Sequence, residues 1–98
     1  MDYRVIISQP ALRDLGTIAR FIAHGVHGSP AAAEKIGEEL IALSESLATL
    51  PNRGTAVRRR PGLRKLSHRY YLIFYQVTAS ARLVEIVRIW EVVRIRPG

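Results

Sequence analysis

Cysteine is absent from the 98 residues, which excludes disulfides and thiolate zinc sites. Aromatic side chains are scarce, with two Phe, four Tyr and one Trp, so aliphatic residues must fill the core. No apolar run approaches the roughly 20 residues of a membrane-spanning helix. No basic and apolar leader precedes a small-residue cleavage site, so the cytoplasm is the expected compartment. Acidic residues are scarce in the second half of the chain. Residues 1–50 carry four cations against six acids, a net of −2, whereas residues 51–98 carry eleven cations against only Glu85 and Glu91, a net of +9. Thirteen of the fifteen cations are Arg, whose planar fork suits carboxylate and phosphate pairing.

The length predicts one domain, residues 1–98, around one core. Residues 3–8 are β-rich, with Tyr3, Val5 and Ile7 on one face. Ser8 or Gln9 can then cap a helix, and Pro10 suits its first turn. Ala11, Leu12, Leu15, Ile18, Ala19, Ile22 and Val26 recur at helical spacing until residues 25–28 end the pattern. Ser29-Pro30 repeats the start signal. Ile36, Leu40, Leu43, Leu47 and Leu50 form a second seam, stopped by Pro51-Asn52-Arg53-Gly54. Spanning only two heptads, that seam reads as core rather than as a coiled-coil stripe. The short linker forces an antiparallel helix hairpin. The rest reads as strands over residues 63–67, 70–77 and 82 to about 95, the middle one bulky on both faces and hence central. The expected fold is α+β, in the order β-α-α-β-β-β, with the hairpin packed on a mostly antiparallel sheet.

Candidate chemistry concentrates in the basic half. Arg58-Arg59-Arg60-Pro61-Gly62-Leu63-Arg64-Lys65-Leu66-Ser67-His68-Arg69 runs straight into Tyr70-Tyr71-Leu72-Ile73-Phe74-Tyr75. A basic run joined so closely to a strand is held on a rigid surface that can meet an anionic partner. Arg58, Arg59 and Arg60 could contact an acidic partner or nucleic-acid phosphate, or form a solvated loop kept soluble by its charge. Metal-free RNA cleavage needs an activated 2′-hydroxyl, charge stabilisation and a proton donor. Arg64, Lys65, Arg69 and Arg88 could stabilise charge, His68 could move the proton and Glu91 could act as base. Adjacent strand residues point to opposite faces, so His68 and Arg69 are expected to diverge. His24 and His27 lack a third ligand at metal spacing, and no metal or cofactor is expected. Trp90 is either a core plug at the sheet edge or an exposed hot spot.

Several segments in their order resemble the RelE/ParE toxin superfamily. They are Tyr3-Arg4-Val5, Ala11-Leu12-Arg13-Asp14-Leu15 with Ile18 and Phe21-Ile22-Ala23, Leu50-Pro51-Asn52-Arg53-Gly54, Gly62-Leu63-Arg64-Lys65-Leu66, Tyr71-Leu72-Ile73-Phe74-Tyr75-Gln76-Val77 and Val84-Glu85-Ile86-Val87-Arg88-Ile89. The resemblance implies a small toxin of a type II toxin–antitoxin pair. One branch of that superfamily cleaves messenger RNA on the ribosome, the other blocks DNA gyrase, and both are silenced by an antitoxin whose disordered segment wraps the toxin. The nuclease branch typically places Arg directly after the aromatic that opens the central strand. Here Leu72 follows Tyr71, which is closer to the gyrase-directed ParE pattern. The chain also departs from both branches near its end, with no Tyr or His after Tyr75 and with Trp90-Glu91 where the gyrase branch commonly has a His.

The resemblance thus implies a ParE-like gyrase inhibitor that acts by binding, in a hetero-oligomer with its antitoxin. Target contacts fall to Arg64, Arg69, Arg88, Trp90, Arg94 and Arg96, and antitoxin contacts to Arg58, Arg59 and Arg60. The alternative is a ribosome-dependent endoribonuclease of messenger RNA using Arg64, His68, Arg69 and Arg88. A third reading is a non-toxic protein that binds the antitoxin and regulates their operon.

Overall fold

The computed structural model describes residues 2–25 and 28–92. Strand β1 (Arg4–Ile7) leads into helix α1 (Gln9–His24), and helix α2 (Pro30–Glu45) follows. Both helices start as the Ser and Pro signals predict. The Ser8 hydroxyl accepts the Ala11 N–H at 3.2 Å and the Ser29 hydroxyl accepts the Ala32 N–H at 3.1 Å. Ser8 also donates to the Val87 carbonyl at 3.1 Å, which ties the start of α1 to the sheet.

The second helix stops earlier than the Leu seam predicts. A 3₁₀ turn over Ser46–Ala48 replaces its last turn, carries Leu47 into the core and leaves Leu50 58% exposed. The hydroxyls of Ser44 and Ser46 donate back to the carbonyls of Leu40 and Leu43. Such back-bonding competes with regular helical pairing and favours the tighter turn.

Strands β2 (Thr55–Ala56), β3 (Leu63–His68), β4 (Tyr71–Thr78) and β5 (Leu83–Glu91) complete a five-stranded sheet in the order β1-β5-β4-β3-β2. The α+β architecture is as expected, and β4 is central. Among the described residues only β1, parallel to β5, breaks the antiparallel pattern. Two-residue β2 was not foreseen, because so short a strand carries no periodicity.

One face of the sheet lies under the helices. Ala11, Leu40 and Leu47 pack there against Tyr71, Ile73, Tyr75, Val84, Ile86 and Ile89. Each fully buried Leu or Ile contributes about 1.5–3 kcal/mol relative to an exposed one. Cross-strand partners share a face, so the helix-side face also holds Arg64 (opposite Tyr75) and His68 (opposite Tyr71). The other face is left open and presents Lys65, Leu72 and Phe74.

Strand β5 changes face part-way along. Its register against β4 shifts between Phe74 and Tyr75: Tyr75 pairs with Ile86 and Phe74 with Arg88, leaving Val87 as an extra residue. This β-bulge reverses the alternation. Val84 and Ile86 point into the core before it, and Ile89 does so after it. Arg88 and Trp90 are thereby delivered to the open face. Among the described residues no helix is long and apolar enough to cross a membrane.

Candidate functional site

The arginine run sits on an ordered loop of two consecutive turns. The Arg60 N–H donates to the Val57 carbonyl at 3.3 Å, and the Leu63 N–H donates to the Arg60 carbonyl at 3.0 Å. The first turn has Arg58 and Arg59 at its centre, the second Pro61 and Gly62. In both, the second central residue has positive φ, 62° at Arg59 and 81° at Gly62, the requirement of a type II turn. A Cβ at Gly62 would also displace the Gln76 amide and stand 3.0 Å from the Val77 carbonyl oxygen. Gln76 donates to the Pro61 carbonyl at 3.0 Å, and the Val77 N–H to the Gly62 carbonyl at 2.8 Å. The three guanidinium groups therefore project from a loop fastened to β4.

Arg64 is engaged within the fold. Its Nε donates to the Gly54 carbonyl at 3.0 Å and a terminal nitrogen to the Asn52 carbonyl at 3.2 Å. The buried Tyr75 hydroxyl supports the same loop, accepting the Gly54 N–H at 2.8 Å and donating to the Pro51 carbonyl at 2.9 Å. Gly54 allows this approach, because a Cβ there would stand 2.5 Å from the Lys65 carbonyl oxygen.

His68 and Arg69 converge rather than diverge. Both reach Oε1 of Glu39 on α2, at 2.9 Å from His68 Nε2 and 3.1 Å from Arg69 Nε. The expectation of opposite faces fails because Arg69 is no longer in a strand. It opens the two-residue β3–β4 turn at φ 58°. Hydrogen bonding from His68, with the Arg69 charge beside it, holds the Glu39 carboxyl below its ordinary pKa against the opposing effect of burial.

The far end of β5 gathers a different set. Past Ile7, β1 no longer covers the edge of β5, and Asp14 of α1 takes its place. Its carboxylate accepts the Ile89 N–H at 2.8 Å, Arg88 Nε at 2.8 Å and a terminal Arg88 nitrogen at 3.0 Å. The Arg88 bond is the main influence holding the Asp14 pKa down, against the effect of burial, and Asp14 in turn raises that of Arg88. The Arg88 guanidinium lies 5.6 Å from the centre of the Trp90 ring, within cation–π range. Trp90 meets Phe74 edge-on, with ring centres 5.0 Å apart. Trp90 is 49% exposed, which decides against a core plug. Together with Val57, Arg60, Leu63 and Val87, these three residues line a depression of about 350 Å³ on the open sheet face.

The chain matches the family described as ParE toxin of type II toxin-antitoxin system, parDE, over residues 5–95. It belongs to that ParE toxin family. Among solved structures the fold is shared by the RelBE2 toxin–antitoxin complex of Mycobacterium tuberculosis, at 21% identity over 93% of this chain and 99% of that one, with TM-score 0.71. The chromosomal ParDE system of P. aeruginosa is similar at 20% identity over 92% and 96%, with TM-score 0.73. The isolated RelE toxin of E. coli follows at 18% identity over 95% and 87%, with TM-score 0.61. Among curated proteins no relative matches.

In this ParE-family chain, the sequence-predicted site residues fall into separate groups. Arg60, Arg88 and Trp90 meet around the open-face depression, with Arg58 and Arg59 on the adjoining turn. Arg64 and His68 lie on the helix-side face at opposite ends of β3, and Arg69 lies in the turn beyond. Glu91 pairs with Tyr71 on that same face, away from Arg88. Arg94, Arg96 and His27 lie outside the described residues, and among the described residues no cluster of His, Asp and Glu is disposed to hold a metal ion. Asp14, Glu39, Val57, Leu63 and Phe74 were missed as parts of these sites. The two carboxylates read as ordinary polar helix positions and the apolar residues as strand filling, since only tertiary contact gives them their roles.

Proposed function

We propose that this toxin acts by binding rather than by catalysis, inhibiting DNA gyrase through the open sheet face, and that a cognate antitoxin neutralises it. The dispersal of the residues that metal-free RNA cleavage would use carries this reading. Arg64, His68 and Arg69 are committed to internal partners on one side of the sheet, while Arg88 stands on the other, already paired with Asp14. A general acid–base mechanism requires such groups to surround one reacting phosphate. The open face instead offers an aromatic–arginine pair beside a basic loop, a composition suited to a protein partner. Target contact centres on Arg88 and Trp90, with Arg94 and Arg96 of the following segment. Arg64 and Arg69 serve this surface indirectly, by holding the loop at residues 51–54 and the β3–β4 turn. Arg58, Arg59 and Arg60 meet carboxylates of the antitoxin.

Expression without antitoxin should arrest growth, and the purified chain should inhibit gyrase supercoiling while messenger RNA stays intact by 5′-end mapping. His68→Ala should leave that inhibition in place. Ribosome-dependent cleavage abolished by His68→Ala would overturn the proposal in favour of the endoribonuclease, and normal growth would sink both toxic readings.

A further inference from the structure

We infer that Asp14 is a specificity-determining residue, a reading that rests on the protein-binding function proposed above. By occupying the guanidinium of Arg88, Asp14 keeps the open sheet face selective for protein and turns away phosphodiester backbone. One cross-strand row sets Lys65 of β3, Phe74 of β4 and Arg88 of β5 side by side. Arg60 lines the same depression, and Trp90 meets Phe74 edge-on. Three cations around a pair of aromatic rings are what a nucleic-acid strand needs, charge for phosphate and a ring for a base. Arg is the decisive member of such a set, because its planar fork takes a phosphate through two parallel N–H bonds.

Asp14 cancels that member. Its oxygens accept Arg88 Nε at 2.8 Å and a terminal Arg88 nitrogen at 3.0 Å, so the fork is filled from within the chain and the pair is neutral. A phosphate approaching Arg88 meets a carboxylate directly behind it, and attraction and repulsion largely cancel. The carboxylate is held there, since it also accepts the Ile89 N–H at 2.8 Å and its side chain is only 15% exposed. Helix α1 is fastened on the other side of the bulge as well, through the Ser8 hydroxyl on the Val87 carbonyl. The Arg88 guanidinium remains against the Trp90 ring, where the pair offers a protein side chain a flat, uncharged seat. Asp14 is thus a positioning residue for Arg88 and, through it, a filter on the partner's chemistry.

The test is equilibrium binding of the full chain to a short fluorescein-labelled DNA duplex over a range of salt concentrations. Asp14→Asn keeps an oxygen for the Ile89 N–H and gives up the charge, with circular dichroism verifying its fold. Freeing Arg88 for one phosphate should steepen the slope of log K against log salt by about 0.9. Binding at low salt should tighten about two- to fivefold, the range for an exposed ion pair. Acrylamide quenching of Trp90, the chain's single tryptophan, should rise as the guanidinium leaves its ring. Adding Arg88→Gln to Asp14→Asn should return the slope to the wild-type value. Glu34→Gln, the same change in net charge at an exposed position of α2, should not move it. A slope unchanged in Asp14→Asn, or steepened equally in Glu34→Gln, or still steep after Arg88→Gln, would overturn the inference. Gyrase is absent from this assay, so failure to inhibit supercoiling would refute the earlier proposal without touching the salt slopes.

Discussion

Replacing Asp14 with Ala removes at once the acceptor of the Ile89 N–H and the partner of Arg88. The Ile89 N–H faces the stretch of β5 edge that β1 has left, so β1 has no carbonyl placed to substitute. A partly buried donor left without a partner costs about 1–3 kcal/mol. The ion pair adds at most about 1 kcal/mol, because the guanidinium is half exposed and screened by solvent. The expected loss is about 2–3 kcal/mol, or a fall in Tm of roughly 10 °C or more for a domain of this size. Asp14→Asn keeps an oxygen for Ile89 and gives up the charge, so it should cost about 1 kcal/mol, less at high salt. Thermal and urea denaturation of both variants, beside Glu34→Ala at an exposed position of α2, measures these differences. If Asp14→Ala falls no further than Glu34→Ala, the edge-capping argument is wrong. If Asn and Ala cost the same, the Ile89 contact contributes nothing and charge alone accounts for the effect.

Stability should also depend on this carboxylate through pH. Asp14 has a depressed pKa when folded, so its contribution is complete above the ordinary carboxylate range and declines as pH falls through that range toward the folded value; the stability gap between the wild type and Asp14→Asn should narrow accordingly in acid titrations. Tyr75→Phe deletes the hydroxyl that accepts the Gly54 N–H, and should destabilise by about 1–3 kcal/mol in urea denaturation, the range for an orphaned buried donor. Arg82 is held at φ 50° after the 3₁₀ turn over Ala79–Ala81; Arg82→Gly relieves a left-handed conformation costing about 1–2 kcal/mol, against about 0.5–1 kcal/mol of added chain entropy, so a small rise in Tm is expected.

The parts of the fold legible in the sequence are those written in local periodicity and capping. Ser8-Gln9-Pro10 and Ser29-Pro30 marked both helix starts, and the bulk of Tyr71, Ile73 and Tyr75 alternating with Leu72 and Phe74 marked the central strand. That same alternation was silent on which face stays uncovered, because Leu72 and Phe74 are as apolar as core residues. The end of α2 was misjudged because serine hydroxyls bonding backwards leave the Leu spacing unchanged. Trp90 was identified as a residue of interest but not placed, since its exposure follows from the bulge at Val87. His68 and Arg69 were misdirected because a two-residue turn, with an Arg at positive φ, interrupts what reads as continuous strand. Asp14 and Glu39 had no sequence signal, as each finds its partners dozens of residues away.

The bulge at Val87 also bears on how this surface can vary over time. Deleting Val87 would leave Ile86 followed directly by Arg88, and plain alternation would still turn Arg88 and Trp90 outward and Ile89 inward. Substitutions at Arg88 or Trp90 change what the surface recognises and leave the core alone, and a one-residue deletion at Val87 spares the core as well, whereas an inserted residue would exchange surface for core along the rest of the strand. Partner specificity in this toxin can therefore drift by replacement, and β5 should tolerate loss of the residue at the bulge far better than gain of one beside it.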